Sequence, residues 1–104
     1  MKELLVSVID NDFSSQAVYD LSGNHILIYE NDDTAWVEKS PLQGIRSHGT
    51  ICASILAEAM SRHIHLIGYS CSGRDGKVAL EKVCMALQDN IKKITRLSLH
   101  EHRQ

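Results

Sequence analysis

The sequence is poor in the features that mark several large protein classes. A single proline and ordinary apolar and charged fractions, 43% and 23%, exclude collagen-like, low-complexity and disordered chains. Three cysteines, Cys52, Cys71 and Cys84, are an odd set without paired spacing, which argues against a disulfide framework and for reduced thiols. Positive charge is not in excess. Eleven Lys and Arg against 13 Asp and Glu give a formal charge of −2, no footprint for gripping a phosphate backbone, so nucleic acid is not an expected partner. No apolar run approaches the ~20 residues that span a bilayer. The longest cover residues 4–9 and 26–29, and the N-terminal residues lack the basic-then-apolar order of a secretion signal. The expected setting is the cytoplasm, with no membrane contact.

What is present reads as one domain over residues 1–104, long enough to bury roughly two-thirds of its unfolded surface around a single core. Residues 4–9 are nearly continuously apolar and β-branched, the pattern of a strand covered on both faces. Turn chemistry follows at residues 11–15, then a short helix over 16–21 and a turn at Gly23. A second strand is expected over 25–29, with 34–38 pairing back as a hairpin or edge strand, and Pro41 and Gly44 marking a loop. Ser47 is positioned to cap a helix running to about Arg62, with Ile51, Cys52, Ile55, Leu56, Ala59 and Met60 as its inner stripe. Residues 64–69 read as a strand and 70–76 as a glycine-bearing loop. A second amphipathic helix is expected next, with Leu80, Val83, Cys84, Leu87 and Ile91 as its buried stripe, and residues 94–99 read as the fourth main strand. Strands alternating with helices point to an α/β fold, a small parallel sheet with helices on its faces. In such sheets ligands bind at the carboxyl ends of strands, where Asp10 falls.

Two strings carry chemistry. Val6-Ser7-Val8-Ile9-Asp10 delivers a carboxylate at a strand tip, and Ser47-His48-Gly49-Thr50 puts a histidine at a helix start. Together, in this order and a few tens of residues apart, they resemble the aspartate and histidine motifs of the subtilisin-like serine proteases, whose V-I-D strand and H-G-T helix hold two members of the catalytic triad. The resemblance implies the N-terminal part of the subtilase fold, with Asp10 fixing the tautomer of His48 and stabilising its imidazolium during reaction. It also sets Ser98-Leu99 in the place of the family's peptide-pairing S-L-G strand, with His100 where that glycine would stand, and Gly73 in the glycine loop of the binding cleft. Asn11-Asp12 and Ser54 depart from the family pattern, which has small residues and glycine there.

No G-T-S-M-A string for the nucleophilic serine occurs in the sequence. The expected dyad of Asp10 and His48 is therefore vestigial, and the expected molecule is a truncated subtilase-like domain, inactive alone. It would bind a peptide or protein ligand, or form half of a protease completed by a serine-bearing partner chain, and an open sheet edge would invite homo-oligomers. Ser47, Ser98 and Cys71 are conceivable stand-in nucleophiles. The alternative is a small α/β interaction or regulatory domain unrelated to proteases. No cofactor and no metal centre are expected: there is no CxxC or HExxH. The pairs His63/His65 and His100/His102 read as a helix end and a solvated tail, and His48/Cys52, one helical turn apart, is a further pair of the same standing, with the thiol expected in the core.

Overall fold

The computed structural model describes residues 4–32, 35–39, 47–60 and 64–102, with side chains as far as residue 96. Seven elements follow in the order β1 (Leu4–Asp10), α1 (Ser15–Ser22), β2 (Ile26–Asp32), β3 (Ala35–Lys39), α2 (His48–Ala59), β4 (Ile64–Ser70) and α3 (Leu80–His102). The strands form one sheet in the order β1-β4-β2-β3. β4 pairs in parallel with β1 on one side and β2 on the other, while β3 runs antiparallel to β2 at the edge. The expected α/β architecture is therefore present, and β3 is the edge strand expected to pair back on β2. Pro41, Gly44, Thr34, Arg62 and His63 lie outside the described residues.

Both faces of the sheet are covered, and strand alternation divides the apolar residues between them. Val6, Val8, Ile26, Ile28, Ile64 and Leu66 face one layer with Phe13, Val18 of α1, and Ala53 and Ala57 of α2. Leu5, Ile9, Tyr29, Ile67 and Tyr69 face the other, with Ala86 and Val83 of α3, Trp36 and Cys71. The near-continuous apolar run of the first strand is thus explained by burial on two sides.

Three expectations fail. Residues 94–99 are not a strand: α3 continues through them to His102, so Ser98 and Leu99 are helical and provide no extended backbone for a peptide. No glycine or proline breaks the helix there, and Leu87, Ile91 and Ile94 continue its 3.6-residue period. The fourth strand of the sheet is β3, and the strand left with a single neighbour on the parallel side is β1. The second failure concerns α2. It buries Gly49, Thr50, Ala53, Ser54 and Ala57, while Ile51, Ile55 and Leu56 of the expected inner stripe are exposed. Small residues let the helix lie close on the sheet, and Ser54 satisfies its buried hydroxyl on the Thr50 carbonyl at 2.7 Å. The third is the same inversion in α3, where Leu80, Cys84, Leu87 and Ile91 point outward and Ala86 is fully buried.

The inner face of α3 is held by polar contacts. Tyr69 donates to Asp89 at 2.8 Å, Lys93 pairs with the same carboxylate, and the Lys93 ammonium lies 4.2 Å from the Tyr29 ring centroid. Burial alone would raise the Asp89 carboxyl, but hydrogen bonds from Lys93 and Tyr69 outweigh it and hold the group below the usual carboxylate range. Ser7 of β1 donates to Asn90 at 2.6 Å, fastening the edge strand to the same helix.

Candidate active site

The site is built by fastening the first turn of α2 onto the loop after β1. Ser47 caps the helix, its hydroxyl accepting from the Thr50 N–H at 3.2 Å and donating to the Asp12 carbonyl at 2.6 Å. The Gly49 N–H donates to the Asn11 side-chain oxygen at 3.1 Å, and the Ser14 N–H donates to the Thr50 hydroxyl at 2.8 Å. Each residue of Ser47-His48-Gly49-Thr50 therefore has a partner in residues 10–14. The approach needs glycine. A Cβ on Gly49 would stand 2.4 Å from the Asp12 carbonyl oxygen and 3.2 Å from the Asp10 Cβ. Phe13 is the wedge beneath, its ring against Gly49 on one side and Gly68 of β4 on the other, where a Cβ would come within 3.0 Å.

This fastening brings His48 to Asp10. Nδ1 of the imidazole lies 2.6 Å from Oδ2 of the carboxylate, while the other carboxylate oxygen accepts the Asn11 N–H at 2.7 Å. The carboxylate is held from two sides and fixes the ring's orientation. The two side chains differ sharply in exposure: 14% for Asp10 and 73% for His48, so Nε2 is open to an approaching molecule. A carboxylate, an oriented imidazole and an accessible second nitrogen can accept a proton from a hydroxyl or water brought to Nε2.

The stand-in nucleophiles fare differently. Ser47 is buried and its hydroxyl is committed to the cap. Cys71 is fully buried; burial pushes its thiol up to about 11, Lys82 opposes this and Asp10 adds to it, so the thiolate is scarce near neutral pH. Ser98 is in α3 rather than on a strand. Cys52, half-buried on α2, places its sulfur 3.7 Å from both ring nitrogens of His48. Equal distances put the sulfur off the lone-pair direction of either nitrogen, a poor geometry for activation by His48.

Gly73 sits in the turn after β4, which is closed by its N–H on the Lys77 carbonyl at 2.7 Å and by a bridge between Ser72 and Val78. This loop touches the site's margin through Ser72, which donates to Asp12 at 3.0 Å. The substrate-binding residues expected beside the dyad are thus not gathered as a set: Gly73 spends its donor within its own turn, and Ser98 and Leu99 belong to a helix. Asn11 and Asp12, read from sequence as departures from the subtilase pattern, are the residues that clasp α2. Turn chemistry at 11–15 signalled a loop there; nothing local signalled its partners across the fold.

No protein-family model, curated protein or solved structure matches this chain. No comparison links it to the subtilases that its two strings resemble. Among the described residues, no helix is long and apolar enough to cross a membrane.

Proposed function

We propose that this domain is the aspartate–histidine half of a subtilisin-like serine peptidase site, which acts when another polypeptide brings a hydroxyl nucleophile to Nε2 of His48. The observation that carries the reading is the 2.6 Å contact between Asp10 and His48, made by a strand tip and a helix start that are distant in sequence. A mostly parallel sheet with that carboxylate at the carboxyl end of β1 supports it, as does the place of β1 at the sheet's edge, with β4 as its one neighbour among the described residues. The free side of β1 leads to Asp10, so a strand added there would arrive beside the dyad. Peptide or protein binding is assigned to this edge rather than to Ser98 and Leu99.

A second reading has its own support. Outward apolar residues on α2 and α3, among them Ile55 at 61% and Leu80 at 77% exposure, suit an interaction domain whose partner covers them. One experiment separates the two. The chain alone is expected to leave a chromogenic peptide amide intact and to hydrolyse an activated ester weakly, with that esterase activity abolished by His48→Ala and reduced by Asp10→Asn. Ester hydrolysis unchanged in His48→Ala would refute the peptidase reading and leave the interaction domain.

A further inference from the structure

Asp10, His48 and Cys52 each offer one metal-ligating atom, and the three atoms lie within 4.8 Å of one another. We propose that they form a binding site for a thiophilic divalent cation of the zinc class, with the fourth position open to water. This inference does not depend on the peptidase reading, since it needs only the three side chains. Sequence alone offered His48 and Cys52 as a pair; the fold adds the carboxylate of Asp10 from β1 and turns the thiol outward, where the sequence placed it in the core.

The donor set decides the class of cation. Thiolate, imidazole and carboxylate suit zinc and its analogues, whereas calcium and magnesium require oxygen donors throughout. His48 and Cys52 stand four residues apart on α2, the spacing that puts two ligands on one helix face. Bond lengths of about 2.0 Å to oxygen and nitrogen and about 2.3 Å to sulfur give ligand separations of about 3.3–3.6 Å in a tetrahedral site. The sulfur already stands 3.7 Å from Nδ1, and the 2.6 Å contact between Nδ1 and Asp10 has to open by some tenths of an ångström. The carboxylate and sulfur, within 4.8 Å of each other, have to approach, and the exposed His48 ring and the half-buried Cys52 side chain are the groups free to turn. The Asn11 N–H on the other Asp10 oxygen holds the carboxylate in place, the kind of outer contact that orients a ligand.

The proton balance is definite. Cys52 releases its thiol proton and binds as thiolate; neutral His48 binds through Nδ1 and keeps one proton, on Nε2. Occupancy thus converts Nε2 from an acceptor into a donor, so a bound cation silences His48 as a base.

Co2+, whose sulfur-to-metal charge-transfer absorption reports thiolate ligation, tests the proposal, with Zn2+ as competitor. One Co2+ per chain is expected, displaced by Zn2+, with the band lost in Cys52→Ser and kept in Cys84→Ser. Asp10→Asn removes the charge of one ligand and is expected to weaken Zn2+ binding. In the unmutated protein, Zn2+ is expected to protect Cys52 from iodoacetamide, read by peptide mass, while leaving Cys84 reactive. A band that persists in Cys52→Ser, no saturable Co2+ binding, or unprotected Cys52 in saturating Zn2+ would each overturn it.

Discussion

Replacing Gly49 by alanine tests the clasp that creates the site. Alanine is favoured over glycine by about 0.8–1.0 kcal/mol in a helix interior, which is an upper bound on what Gly49, the second residue of α2, would gain from the change in a helix free of its surroundings. Here the new methyl would stand 2.4 Å from the Asp12 carbonyl oxygen, and 3.1 Å from the Phe13 ring. The first of these is backbone and cannot rotate away, so the start of α2 has to lift off the loop. Overpacking of this kind costs about 1–3 kcal/mol, and the Gly49 N–H bond to Asn11 is lost with it. The two effects together outweigh the helix gain and leave a net loss of about 2 kcal/mol. At a urea slope of about 2 kcal/mol per M, this lowers the midpoint by about 1 M. The same lift separates His48 from Asp10, and the downfield proton shared between Nδ1 and the carboxylate should vanish from the NMR spectrum. Gly76→Ala is the control: its φ of 77° disfavours alanine by about 1–2 kcal/mol, but no atom lies within 4 Å of the added methyl and the dyad signal should persist. Gly49→Ala with an unchanged midpoint and an intact dyad signal would sink the account.

Two further outcomes are expected. Ile91→Lys on α3 should change stability by no more than about 0.5 kcal/mol in urea titration, because Ile91 is 61% exposed; a loss of several kcal/mol would mean that the sequence-based stripe, not the outward face, is right. Asp89→Asn should flatten the acid limb of the stability curve. A carboxyl held low in the folded state stabilises above its unfolded value near 3.9, and that contribution fades as pH falls through the folded value, so urea midpoints of the variant should depend less on pH below about 4 than those of the parent.

The elements legible in the sequence were those set by local pattern. β1, β2, β4 and the start of α2 follow from β-branched runs and from Ser47 as a cap, and Asp10 and His48 from their motifs. Helix orientation was not legible. An apolar stripe marks the inner face only when the opposite face is polar or large. On α2, Ala53 and Ala57 opposite Ile51 and Ile55 offer a second apolar face that lies closer to the sheet. On α3 the decisive contacts are polar and distant, Asp89 with Tyr69 and Asn90 with Ser7, and no spacing rule announces them. The end of α3 was missed because Ile94-Thr95-Arg96-Leu97-Ser98-Leu99 also fits an alternating strand, and periodicity over six residues does not separate the two. Of the candidate site, Asp10 and His48 could be singled out from the sequence, whereas the clasp formed by residues 11–14 and the position of Cys52 required the fold.

The wedge of Phe13 between Gly49 and Gly68 ties the alignment of the carboxylate and imidazole to the middle of the sheet. Any added bulk on β4 at Gly68 would press on the Phe13 ring, whose other side meets Gly49 beside the His48–Asp10 contact. A residue on the central strand thus acts on the His48–Asp10 contact as a lever does, through a ring that both glycines accommodate.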